Sequence, residues 1–361
     1  MSDITVTSPR PAARSTWRRM LRGQEIGIFL VLLVMVAFFT WQTRETGSFL
    51  RPSNLTNIML NFSWTAIAAF GMTFVIISAG IDLSAGSVMA LAGLAAAFVI
   101  SEDKSPFLTP EGTVAEWAIP LAILAGLAVG SLAGFVNGVL ITLAKLPPFI
   151  ATLGMLQIAR GIVYGLSQGW PVQNLPPNFM VIGRQNIPAA GINFPLPTII
   201  MLVIGIIAWI FLTRTAWGYR IFAVGGNEQA SRLSGISVTR TKIMIYTISG
   251  LLAGAGGVLL TARLGVAAPT AAQGYELDVI AAVVVGGTST SGGEGSILGT
   301  LIGAAIMGVL RTGLNLIGVE AYWLPSAQGI IIIAAITLDQ WFRRRQGKPT
   351  GFAHWFGRAG K

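Results

Sequence analysis

The chain has 361 residues, of which 53% are hydrophobic and 11% charged, with 44 glycines and a formal net charge of +10. Its apolar blocks recur at lengths that cross a hydrocarbon core of about 30 Å, which points away from a soluble domain and toward a polytopic membrane protein. Cysteine is absent, so disulfides, thiolate metal sites and cysteine nucleophiles are excluded.

In chain order, residues 1–25 form a basic tail carrying Arg10, Arg14, Arg18, Arg19 and Arg22. The run that follows, 26–42, has no small-residue cleavage site after it and reads as a retained anchor. The next run, 56–78, ends in the polar interruption Gly80–Ser87, where Asp82 and Ser84 precede a span at 86–100. An acid at mid-bilayer costs about 2.5 to 3.5 kcal/mol on insertion scales, so Asp82 either lines a polar cavity or caps the helix starting near Ser84 at the cytoplasmic boundary. The segment 101–117 is acidic, with Glu102, Asp103, Glu111 and Glu116 against Lys104.

Span 118–143 repeats glycine every fourth residue at Gly126, Gly130, Gly134 and Gly138. Such a stripe lets a neighbouring backbone approach closely. Asn137 lies in the same span and suits an interhelical bond. Span 148–165 holds Phe149 and Arg160; span 197–213 leads into a basic stretch, 214–242, with five cations and one anion. Within that stretch Gly226, Asn227, Glu228, Ala230, Arg232, Leu233 and Gly235 read as a short helix with its own start and stop. Asn227 is the N-cap, Glu228 the first-turn acid and Gly235 the left-handed terminator. Glu228 and Arg232 stand at i, i+4, either to support the helix or to contact a partner.

Further on come spans at 243–262, with Gly250 and Gly254, and 276–286, which is too short to cross as an ordinary helix and reads as half of a broken one. A second polar interruption, 286–296, contains Glu294 as a candidate cap for the helix from Ser296. Gly295, Gly299 and Gly303 then form another small-residue stripe in span 296–317. Arg160 and Arg311 sit toward the outer ends of their spans and are expected to snorkel to headgroups. The span 324–341 precedes a basic tail, 342–361, with Arg343, Arg344, Arg345 and Lys348, and with His354 as surface decoration. Ten crossings result. Basic residues at both ends place both termini in the cytoplasm, with 101–117 outside and 214–242 inside. The net charge is thereby assigned to membrane topology and lipid headgroups, not to nucleic acid.

No phosphate-binding G-x-x-x-x-G-K-[ST] loop is present, and the glycine-rich 286–296 segment lacks its lysine. No zinc-protease motif or serine, histidine and carboxylate set occurs either. The chain is therefore expected to be no enzyme and to need no cofactor or metal. If ATP drives it, another polypeptide must hydrolyse that ATP. Two further classes suit the residues: an ion-coupled secondary transporter using Asp82 and Glu294, and a membrane scaffold that recruits a partner through 227–234.

Six stretches taken together resemble the permease subunit of bacterial ribose, xylose and galactose type ABC importers. They are GMTFVIISAGIDLSAGS at 71–87, GFVNGVLIT at 134–142, LPPFIATLGML at 146–156, RGIVYGLSQG at 160–169, AVGGNEQASRLSGI at 223–236 and AAVVVGGTSTSGGEGSILGTLIGA at 281–304. The resemblance runs from about 54 to 341. It implies an all-α, type II ABC importer-like permease in the cytoplasmic membrane, a second permease chain, two ATP-binding subunits below and an extracytoplasmic sugar-binding protein above. It makes 227–233 the helix that couples to the ATPase. Asp82, Ser84, Asn137, Phe149 and Glu294 are the expected pathway residues.

Overall fold

The computed structural model describes residues 23–109, 112–189 and 192–345. The helices are α1 (Gly23–Gln42), α2 (Pro52–Ile77), α3 (Ala85–Ile100), α4 (Ala118–Thr142), α5 (Pro148–Ser167), α6 (Pro177–Arg184), α7 (Leu196–Arg214), α8 (Ala216–Gly226), α9 (Glu228–Leu233), α10 (Val238–Leu264), α11 (Tyr275–Val285), α12 (Ile297–Leu316) and α13 (Leu324–Arg345). Several begin with proline in the first turn, where its missing N–H is no loss: α2, α5, α6 and α7.

Every segment read as a span falls on a helix. Seven of the helices are long and apolar enough to cross a membrane. The other three differ: α3 has 16 residues, α11 has 11, and α13 has 22 but carries polar and charged residues along its length. A purely helical fold also needs correction, because β1 (Asn186–Ala189) and β2 (Ile192–Pro195) pair antiparallel, with Asn186 opposite Pro195. Thr56 of α2 donates to the Asn193 carbonyl and ties this hairpin to the bundle. The helices α6 and α8 add to the spans that hydropathy predicts. The tail residues Arg10, Arg14, Arg18, Arg19, Arg22, Lys348 and His354 lie outside the described residues. Arg343 to Arg345 continue α13 beyond the expected boundary at 341.

The bundle is built around α2 and α10. From Ser63 to Ile77 every residue of α2 is buried, the pattern of a helix with apolar surface all round and neighbours on all sides. Beside it, α4 and α10 meet along a seam of glycine. A Cβ on Gly130 would strike the Gly250 carbonyl, one on Gly250 the Gly130 carbonyl, and one on Gly134 the Tyr246 carbonyl; one on Gly138 would lie 2.7 Å from Ile243 Cα. Both stripes expected to pack therefore pack on each other. The third stripe packs likewise, since Cβ atoms on Gly299 and Gly303 would meet the Gly286 and Ala282 carbonyls. Thr73 and Thr300 share a 2.7 Å hydrogen bond between α2 and α12.

The stretch between α10 and α11 folds back into the bundle. Gly93 of α3 faces Thr261 and Met89 faces Gly257, which sets α3 and α10 level; by the same measure Gly86, against Glu276 and Ala272, lies deep in the body. At 1.5 Å per residue this puts the start of α11 roughly 15 Å below the C-terminal end of α10. Residues 265–274 are thus a descending non-helical segment that leads into the short α11.

Candidate functional site

Two places gather the residues singled out from sequence. The first is α9. Asn227 ends α8 and starts α9, its Oδ1 accepting from the Ala230 N–H at 2.9 Å. The Ser231 carbonyl accepts from the Ile236 N–H at 3.0 Å, and Gly235 at φ +80° makes the left-handed turn that stops the helix. Start and stop are those expected. Glu228 bonds Arg232 at 3.3 Å and also Lys242 of α10 at 2.7 Å, a strut to the bundle that spacing within the helix did not indicate. Burial pushes the Glu228 carboxyl up, but Lys242 and Arg232 outweigh it and hold the group below its ordinary value.

Apart from buried Ser231, the segment stands in the open. Gly226, Asn227, Glu228, Ala230, Arg232, Leu233 and Gly235 are all exposed, and Leu233 is 90% so. An apolar side chain this bare on a capped, strutted helix is a surface shaped for contact. Beside it a cavity of about 490 Å³ is bounded by Trp217, Arg220, Ser237 and Arg240, among others, with the Arg220 guanidinium 4.6 Å from the Trp217 ring centre.

Beneath α9 three backbones meet. Gly225, at the end of α8, has the Ile77 carbonyl and the Gly293 nitrogen where a Cβ would stand, and Gly293 N–H donates to that same Ile77 carbonyl at 2.8 Å. The end of α2, the 286–296 loop and the helix leading to α9 are therefore joined without an intervening side chain.

The second place is the break between α2 and α3. Asp82 Oδ1 accepts from Ser84 N–H at 2.9 Å and Ser84 Oγ at 2.6 Å, while Oδ2 accepts from Ser249 Oγ of α10 at 3.2 Å. Asn137 of α4 donates Nδ2 to Ser84 Oγ at 3.0 Å, the interhelical bond expected of it; its Oδ1 is buried with no partner among the described residues. Asp82, Ser84 and Asn137 thus come together, each at 2% exposure or less. Asp82 shapes the turn into α3 from inside the packed body and not from an exposed boundary. Phe149 lies elsewhere, 53% exposed in the first turn of α5. Glu294 sits on the 286–296 loop beside Glu25, Gly286 and Ser296. The cap of α12 is Ser296 and not Glu294: Ser296 Oγ accepts from Gly299 N–H at 2.9 Å and donates to Glu25 Oε1 at 2.6 Å.

The two arginines assigned to headgroups have protein partners instead. Arg160 donates to the carbonyls of Pro269 and Ala271 at 2.8 and 2.9 Å, and Arg311 pairs with Asp278 at 3.0 Å. Non-helical backbone at this depth leaves carbonyls unsatisfied, which guanidinium groups can satisfy. The positions of the arginines alone did not reveal this.

The family model described as branched-chain amino acid transport system / permease component matches residues 54–336. The ribose import permease protein RbsC of Bacillus subtilis (strain 168) is 42% identical over 319 residues, covering 88% of this chain and 93% of the relative. The fructose import permease protein FrcC of Rhizobium meliloti is 37% identical, covering 91% and 88%. The D-allose transport system permease protein AlsC of Escherichia coli (strain K12) is 37% identical, covering 94% and 99%. No solved structure gives a significant match.

Proposed function

The chain belongs to this family of transport-system permease components, and from that premise we propose that it is the membrane-spanning subunit of an ATP-driven ABC importer, giving passage to a monosaccharide through the bacterial cytoplasmic (inner) membrane. The observation that carries the reading is α9: an exposed, doubly terminated helix on an otherwise apolar chain that has no nucleotide-binding loop of its own. It supplies what a permease without an engine requires, a rigid place for an ATPase to grip. Asn227 to Leu233 would seat in the ATP-binding subunit, with Leu233 as the apolar contact and Glu228 and Arg232 on its flank. Nucleotide-driven closure of two such subunits would move α9, and through Gly225 the ends of the helices above it, switching a paired permease between outward and inward openings.

The finer assignments belong to the same reading. Ten crossings are completed by α3, α11 and α13, the first two being short because each continues a broken stretch. Both termini lie in the cytoplasm, α9 with them, and 101–117 faces the side where an extracytoplasmic sugar-binding protein docks. The Asp82, Ser84 and Asn137 cluster would brace the α2–α3 break next to the route.

Reconstitution in vesicles tests this. Sugar uptake is expected only with an ATPase subunit and a loaded binding protein, and Leu233→Asp or Gly235→Pro should abolish uptake while ATPase activity and membrane insertion persist. Gradient-driven uptake by this chain alone would overturn the proposal.

A further inference from the structure

The descending segment 265–274 raises a question that the helices do not. Backbone without helical bonds is tolerated at membrane depth only where it is buried in protein or lines water. Part of this stretch is buried, at Ala267, Pro269 and Ala272, but Thr270 and Gln273 present exposed side chains deep in the body. Across from them runs the apolar helix α5, where Gln157 near its middle and Tyr164 in its last turn are likewise exposed, Tyr164 at 41%. Arg160 joins the two, since its guanidinium holds the Pro269 and Ala271 carbonyls. Gln157, Arg160, Gly161 and Tyr164 stand at i, i+3, i+4 and i+7, one face of the helix. Gly161 and Gly165 have nothing within 4 Å where a Cβ would be, which leaves that face open. Glu276, against Gly86, lies within electrostatic reach of Arg160 and closes the lower end.

A carboxamide facing hydrocarbon without a partner is strongly unfavourable, so this seam does not face lipid. From this juxtaposition we infer that Gln157, Tyr164, Thr270, Gln273 and Glu276 form the pathway-lining contact surface for a neutral, polyhydroxylated sugar ring. The inference rests on the importer reading above. The chemistry suits that ligand: two carboxamides each offer donor and acceptor to hydroxyls, the carboxylate accepts from them, and the tyrosine ring offers an apolar face to ring C–H groups. Arg160 is a positioning residue. Its donors are directed to carbonyls of the segment, and it sets where Thr270 and Gln273 stand.

Because the chain contains no cysteine, single Gln157→Cys and Gln273→Cys proteins can be probed with no background from the chain itself, label being read on this subunit after separation. They are assembled in vesicles with the ATPase subunit and binding protein and treated with a charged methanethiosulfonate. Ile207→Cys, from the exposed apolar face of α7, sets the rate for a lipid-facing position. Both glutamine positions should react at least about tenfold faster than the control, and more slowly when D-ribose, D-fructose or D-allose is being transported. Gln157→Leu and Gln273→Leu should each lower uptake by about tenfold, the scale of one lost hydrogen bond, while stimulation of the ATPase by loaded binding protein is kept. Labelling no faster than Ile207→Cys, or unchanged uptake by both leucine variants, overturns the inference. If the importer reading itself is wrong, the unsubstituted chain shows no ATP-dependent uptake, a result distinct from normal uptake with unreactive seam positions.

Discussion

The α4–α10 seam and the α9 helix are opposites in how they use their residues. Along the seam the function of Gly130, Gly134 and Gly250 is to have no side chain, because a carbonyl of the opposing helix already occupies the space. On α9 the side chains project into the open, Leu233 almost completely, and hydrogen bonds at both ends keep the backbone in place. One region is intolerant of added atoms, and the other is indifferent to them until something docks. Substitution should therefore destroy the protein in the first region and only disconnect it in the second.

The largest effect is expected at the seam. Gly134→Leu would drive a branched side chain into the Tyr246 carbonyl, and the overpacking should exceed about 3 kcal/mol because backbone must separate to admit it. Folded protein recovered from membranes, and its unfolding temperature in detergent, should both fall sharply. Normal recovery would break the comparison. Next comes Leu233→Asp, which should leave recovery unchanged and remove nearly all ATP-driven uptake; a drop in folded yield would mean that α9 also supports the bundle.

Asn227→Ala tests the cap alone. Losing the bond to Ala230 N–H should cost the helix about 1 kcal/mol, seen as a severalfold drop in uptake that Asn227→Asp or Asn227→Ser restores. The smallest effect concerns acidity. Glu228 is held below its ordinary 4.5, so the pairing with Lys242 and Arg232 contributes fully above that value and is lost as pH falls through the lower folded one. Amide exchange of α9 should distinguish the chain from Glu228→Gln at neutral pH and converge with it once the solution is acidified through the lowered folded value. Added salt should narrow the difference, as Glu228 and Arg232 are solvent-exposed.

How far each region could be read from residues alone follows from how local its physics is. A cap and a left-handed stop are decided within the nine residues from Asn227 to Gly235, so α9 was legible at both ends. Hydropathy is nearly as local, and each apolar run became a helix. The glycine stripes announced close packing, although nothing in them said that Gly126 to Gly138 would meet Gly250 and Gly254. Depth is different. Whether 265–274 lies over the membrane or inside it depends on Gly86 admitting Glu276 and Ala272, a contact between residues far apart in the chain. The same holds for Arg160 and Arg311, whose partners come from other elements. The hairpin at 186–195 escaped because it is short, proline-containing and defined by pairing. For Asp82 the residues left a polar cavity and a helix cap both open, because its partners come from two other helices: Ser249 directly, and Asn137 through Ser84.

The meeting of Gly225, Ile77 and Gly293 has a mechanical consequence. Side chains between two moving parts act as cushions, since rotamers can yield and absorb a small displacement before anything beyond them shifts. Here main chain bears directly on main chain, so in the importer proposed above a thrust delivered at α9 would arrive undamped, and at two destinations together: the end of α2 and the loop that opens α12. A single stroke from below would thus set both arms of the gate in motion at the same instant.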